Sequence, residues 1–159
     1  MIIEYNRQNA VEYATKWALN RNPNFYNFDE IGGDCTNYIS QCLLAGNGKM
    51  NFDKYYGWFY SSQHSRSPSW TSVKYLQKFL LTNNSLGPFA HIAPLSVLKE
   101  GDLIQLRQND VSFNHTVIIT QIINGEIYVC AHTNDALNKP LNSYFYYETM
   151  GIKIDGIYV

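Results

Sequence analysis

The sequence predicts an α+β domain in which N-terminal helices pack on a mostly antiparallel β-sheet. Three observations predict it. Helix-period patterns fill the first half of the chain and strand-like runs the second, so helices and strands are segregated rather than interleaved. Asn124-Gly125 lies between two apolar runs, the strongest short-range signal for a two-residue hairpin. A length of 159 residues with 45% hydrophobic content suits one compact domain over 1–159, and neither an internal repeat nor an interdomain linker interrupts it.

Each element has its own signal. From about Arg7 to Leu19, Ala10, Val11, Ala14, Trp17 and Ala18 recur at spacings of three and four, with Asn6 placed to cap the start. Asn20-Arg21-Asn22-Pro23 ends that helix, because proline disfavours helix at the residue before it. Gly32-Gly33-Asp34 leads into a second, buried helix from Cys35 to Ala45, closed by Gly46 and Gly48. Residues 47–69, rich in Gly, Ser, Tyr and Trp, have no sustained period and read as loop or lid. Ser69 or Thr71 then caps a third helix carrying Val73, Leu76, Phe79 and Leu80, which ends at Asn83-Asn84. Strands are expected at Asp102–Leu106, His115–Ile123, Ile127–His132 and Ile152–Val159.

The charge balance of 12 basic against 13 acidic residues leaves no electrostatic footprint for nucleic acid. The first residues turn polar too early for a signal-peptide core, and no run approaches a membrane span, so neither membrane nor export route is implied by the residues given. The 17 Asn beside 13 Tyr give a surface that is polar without being charged.

The three cysteines, at 35, 42 and 130, cannot all pair within the chain and carry no short paired spacing of a zinc or redox site. No metal or cofactor is implied. Cys42 lies about 10 Å up the helix from Cys35, too far to bridge, and with Cys130 reads as a small buried hydrophobe. Cys35 reads differently. It sits in the first turn of a helix, where free backbone N–H groups and the macrodipole favour a thiolate and later an oxyanion.

Taking Asn124-Gly125 as the turn, residues across the hairpin sum to 249. Val117 then faces His132, Ile119 faces Cys130 and His115 faces Asn134, all on one face of the sheet. His115, His132 and Asn134 would gather at one end of the hairpin. A cysteine followed in the chain by a histidine and a polar orienting group has the logic of a thiol hydrolase, in which the imidazole takes the thiol proton.

The string Gly32-Gly33-Asp34-Cys35-Thr36-Asn37-Tyr38-Ile39-Ser40-Gln41-Cys42-Leu43, with Tyr13-Ala14-Thr15-Lys16-Trp17-Ala18 before it and His132-Thr133-Asn134-Asp135 after it, resembles the bacterial putative amidase domain family. Ser69-Trp70, Gly101-Asp102-Leu103-Ile104-Gln105 and His115-Thr116-Val117-Ile118-Ile119-Thr120 extend the resemblance from Tyr5 to about Leu141, and Tyr38-Ile39 replaces an expected Phe-Val. That family is grouped with papain-like cysteine hydrolases related to cell-wall amidases and endopeptidases. The resemblance implies a papain-like fold, Cys35 as nucleophile and His115 as general base. It leaves His132 or Asn134 as the third member, with Asp135 in reserve. Asp34, Tyr26, Trp58 and Trp70 are candidates for oxyanion or substrate contact. A peptide or peptidoglycan-like amide is the implied substrate. A transglutaminase-like acyl transfer with Asp135 third, and a catalytically silent binding module using residues 55–70, are the alternatives.

Overall fold

The computed structural model describes residues 1–159. A two-residue strand β1 (Ile2–Ile3) precedes helix α1 (Arg7–Trp17). The Asn6 side chain accepts the Asn9 backbone N–H at 3.0 Å, which satisfies one of the donors that every helix start leaves free. Ala10 and Ala14 present small side chains on the buried face, and this lets α1 lie against α2 (Cys35–Ala45). All residues of α2 from Cys35 to Leu43 are buried. Such a helix carries no solvent face, and its polar side chains must find partners inside the protein.

The segment after α2, read as loop or lid, is packed instead. Trp58 is fully buried, and a small hairpin of β2 (Tyr60–Ser62) and β3 (Ser65–Arg66) follows it. A single turn, α3 (Pro68–Thr71), then precedes α4 (Val73–Thr82). Neither Ser69 nor Thr71 caps α4. Ser72 does, its hydroxyl accepting the Tyr75 N–H, because Ser69 Oγ is engaged with Gly57 O and Thr71 still belongs to the preceding turn.

The remaining strands are β4 (Gly87–Ala93), β5 (Leu103–Arg107), β6 (His115–Ile123), β7 (Glu126–Ala131), β8 (Ala136–Pro140) and β9 (Glu148–Tyr158). They form one sheet with β1, ordered β1-β9-β5-β6-β7-β8, and β4 also pairs with β9. Each pairing is antiparallel. The architecture is thus α+β with an antiparallel sheet. One face of that sheet (Leu103, Ile118, Cys130, Ile152, Ile154) packs with the helices in the larger core. The other face (Ile104, Leu106, Val117, Ile119, Val129, Ala131) is covered by Leu98, Leu141 and the partly buried Tyr144 and Tyr146.

The hairpin turn forms as the dipeptide predicts, with Asn124 and Gly125 at φ 51° and 80° and Ile123 opposite Glu126. The register does not hold beyond it. Pairs sum to 249 from Ile123–Glu126 to Gln121–Tyr128, but an irregularity between Ile119 and Gln121 changes the sum to 248, so that Ile118 faces Cys130. One extra residue on β6 inverts the alternation. His115 therefore lies on the face of Val117 and Leu106, while Cys130 and the residues in phase with it lie on the helix face. The expected gathering of His115, His132 and Asn134 on one face does not occur.

Candidate active site

Gly32 and Gly33, at φ 80° and 95°, bring the chain into α2 through backbone that other residues rarely adopt. The approach is also tight, since a Cβ on Gly33 would lie 3.3 Å from Thr133 Oγ1, the atom that accepts the Asp34 N–H at 2.8 Å. Asp34 is buried and its carboxylate is a junction. Oδ1 accepts the Phe28 N–H at 2.9 Å and the Asn37 amide at 2.8 Å. Oδ2 faces His132 Nδ1 at 2.6 Å and Arg21 Nε at 3.5 Å. Asn37 continues the frame, donating to Tyr26 O and accepting Trp70 Nε1–H, both at 2.9 Å. Ser40 accepts Trp58 Nε1–H at 3.0 Å and donates to Trp70 O at 2.9 Å. Tyr13 donates its hydroxyl to Gln41. The motif's polar residues hold a helix start, two tryptophans and a loop in fixed relation.

Cys35 stands apart from that frame. Its sulfur has one side-chain neighbour, Thr36 Oγ1 at 3.7 Å, and takes a hydrogen bond from the Thr116 backbone. The last β6–β7 pair on that side is Ile118–Cys130, and His132 then enters a turn. Burial pushes the Cys35 thiol above its ordinary value, outweighing the stabilisation of a thiolate expected at a helix start.

His115 adjoins Thr116 and opens β6. It is 7% exposed, and no hydrogen bond is made by either ring nitrogen. Burial, with a smaller contribution from the Lys139 ammonium, pulls its pKa down to about 4. Thiol and imidazole are therefore both neutral near pH 7, and no hydrogen bond joins them. The low value also sets a stability profile. Between its ordinary value near 6.5 and about 4 the unfolded chain binds the extra proton and the folded one does not. Stability falls as pH drops through that window, by up to about 3 kcal/mol, and this contribution is flat above it. His115→Asn should flatten that part of the profile, measured as the urea midpoint from pH 7 to 4; an unchanged acid slope would refute the assignment.

The other sequence candidates are distributed as follows. His132 is buried, stacked on Tyr38 at 4.0 Å, with Nδ1 on Asp34 and Nε2 donating to Trp17 O at 2.7 Å. It joins the motif to α1 and makes no bond to His115. Asn134 is exposed at φ 59° in the turn after β7, with no side-chain hydrogen bond. Asp135 is engaged by Arg21 through both oxygens, at 2.8 and 2.9 Å. Trp58 and Trp70 are fully buried and line no cleft at the thiol; they are core, tied to Ser40 and Asn37. Tyr26 is part-exposed, its N–H donating to Tyr60 Oη. A groove of about 540 Å³ lies elsewhere, lined by Tyr55, Tyr56 and Tyr75 beside Lys78 and Asn84.

Sequence reasoning missed three participants. Arg21, read only as part of a helix stop, bonds Asp29 and Asp135 and reaches Asp34. Thr116 acts through its backbone, which no side-chain pattern reveals. Tyr144 lies in an irregular segment, 6.1 Å from the His115 ring centre to centre. The Gly-Asp-Leu piece proves structural, since buried Asp102 pairs with Arg7 at 2.8 Å and accepts the Ile154 N–H at 2.9 Å.

The family described as "Putative amidase domain" matches residues 4–154. Among curated proteins, the chain is 38% identical over 138 residues to an uncharacterized protein, YhbB, of Bacillus subtilis (strain 168), covering 84% of this chain and 43% of that one. It is 28% identical over 144 residues to a second uncharacterized protein of the same organism, YjcM, covering 86% and 32%. The chain thus spans less than half the length of each of these relatives. No solved structure matches it.

Proposed function

The chain belongs to the putative amidase domain family, and on that premise we propose that it hydrolyses an amide bond with Cys35 as nucleophile and His115 as general base, on a fold of the papain-like cysteine hydrolase type. The observation that carries the reading is the state of the thiol. Asp34, Asn37, Ser40 and Gln41 are each bonded into the frame, whereas Cys35 Sγ meets one hydroxyl and one backbone N–H from the strand that begins at His115.

The chemistry follows from two neutral partners. As sulfur attacks the carbonyl carbon, His115 takes the thiol proton, and the carbonyl oxygen becomes an oxyanion. Cys35 N–H, at the first position of α2, has no intrahelical partner and supplies a donor for that oxyanion. The imidazolium then returns its proton to the amine as the C–N bond breaks. Water, activated by the same imidazole, hydrolyses the thioester and regenerates the thiol. An uncharged amide of a peptide or peptidoglycan stem is the substrate class proposed.

The test is alkylation coupled to turnover. Iodoacetamide should modify Cys35 before Cys42 and Cys130, both fully buried, and hydrolysis on a panel of peptide and muropeptide amides should be lost in proportion to labelling. Because burial holds the thiol neutral, the labelling rate should rise with an inflection above the ~8.5 of a free cysteine. Full activity after stoichiometric labelling of Cys35 would overturn the proposal. Amine incorporation without hydrolysis would move the reading to acyl transfer.

A further inference from the structure

The sequence leaves the group that orients His115 open; of its candidates, Asn134 is exposed in the turn after β7 and the other two are committed elsewhere. Both nitrogens of His132 are engaged, by Asp34 and by the Trp17 carbonyl, and Asp135 is held by Arg21. An imidazole that works as a general base needs its second nitrogen fixed, because a ring free to turn or to exchange tautomers presents the wrong nitrogen to the thiol.

One side chain beside His115 has an unused polar group. Tyr144 Oη is the single buried side-chain nitrogen or oxygen in the protein without a hydrogen-bond partner. Its ring is 6.1 Å from that of His115 and tilted by 40°, and the His115 nitrogens are themselves unbonded. At that centre-to-centre separation the phenolic oxygen and a ring nitrogen come within hydrogen-bond range when the two side chains turn toward one another. Lys139 Nζ stands 4.1 Å over the Tyr144 ring on the same sheet face, Lys139 pairing with Val129, and the ammonium and the ring pack against each other there. An unpartnered buried hydroxyl is costly, so a group in that condition beside a base is a sign of a contact completed elsewhere in the reaction cycle.

We infer that Tyr144 is the positioning residue of His115, its phenolic oxygen accepting the proton-bearing ring nitrogen and so turning the free nitrogen toward Cys35. The inference rests on the reading of Cys35 and His115 given above. The phenol remains protonated at working pH, burial having pushed its pKa up to about 12, and an uncharged oxygen accepts from the ring without pulling the proton away. In the resting state the contact is open; catalytic hydrogen bonds commonly tighten only once substrate is bound. Tyr144 touches no reacting atom, and its effect passes through the imidazole.

Tyr144→Phe separates this role from a packing role, because it removes one oxygen and leaves the ring. Expected is a tenfold to hundredfold loss in kcat with KM unchanged, on whichever amide the panel identifies, together with a melting temperature equal to or above that of the parent. A packing or hydrogen-bonding role in the fold predicts the reverse, a lower melting temperature with kcat retained. A second readout is the ¹⁵N spectrum of the His115 ring with the amide held bound in a Cys35→Ala background, which should show one dominant tautomer when Tyr144 is present and a mixture in Tyr144→Phe. Full kcat in Tyr144→Phe, or an unchanged tautomer ratio, overturns the inference. If Cys35→Ala is inactive on the same amide while Tyr144→Phe is fully active, the nucleophile reading stands and only the role of Tyr144 falls.

Discussion

Cys35→Ala is expected to lower amide hydrolysis by about a thousandfold or more while leaving the melting temperature within a few degrees of the parent. The first half follows from chemistry, since no other nucleophile is available at the start of α2: Thr36 Oγ1 lies beside the sulfur, but an alcohol without a depressed pKa attacks amides poorly. The second half follows from packing. Cys35 makes no bond that joins two elements through its side chain except the Thr116 contact, and alanine fills most of the same space. Cys42→Ala and Cys130→Ala should behave oppositely, retaining activity per folded molecule and losing stability, because both thiols are fully buried in the helix-side core. Steady-state kinetics and thermal melts on the three variants decide the matter. Cys35→Ala with a tenth or more of parental activity would remove the cysteine from the mechanism.

Asp34→Ala is expected to be the most damaging single change to the fold near the site, at about 3–5 kcal/mol. The carboxylate is 1% exposed and serves the Phe28 N–H, the Asn37 amide, His132 Nδ1 and Arg21 at once. Removing it leaves the Phe28 N–H and His132 Nδ1 without that acceptor and takes one from Asn37 and Arg21, a cost spread over several groups rather than one pair. For a chain of this length such a loss lowers the melting temperature by roughly 6–20 °C. Asp34→Asn keeps one oxygen acceptor and should lose less. A melt of Asp34→Ala within 3 °C of the parent would contradict the picture of Asp34 as the junction between α1, α2 and the turn after β7.

The sequence reading succeeded where the signal is local. Residues Arg7 to Trp17 repeat with helical period and are capped by Asn6; Cys35 opens α2; His115–Ile123 is a strand with the stated ends; Asn124-Gly125 makes the turn. It failed where a pattern is masked or a single residue decides geometry. Prolines at Pro88 and Pro94 hide β4, whose alternation is read only once β9 is seen beside it, and polar Asn138, Lys139 and Pro140 hide β8. Core packing is legible for aromatics such as Trp58 and Trp70, but their indole partners are not, because Ser40 and Asn37 sit on a helix that no local pattern links to them. Tyr38 illustrates the opposite case. Its hydroxyl, extra relative to the Phe that the family resemblance led one to expect, is absorbed by the Ala14 carbonyl on α1.

The irregularity between Ile119 and Gln121 has a further meaning for how the hairpin tolerates change. The His115 end of β6 takes its register from β5, through Leu106–His115 to Leu103–Ile118, whereas the tip takes its register from the Asn124-Gly125 turn. Between the two lies a joint where the pairing already changes step. Lengthening or reshaping the tip therefore need not transmit to His115, because the slack is taken up at Thr120. One pair of strands thus carries two separately set registers, and His115 lies in the one that is fixed by β5.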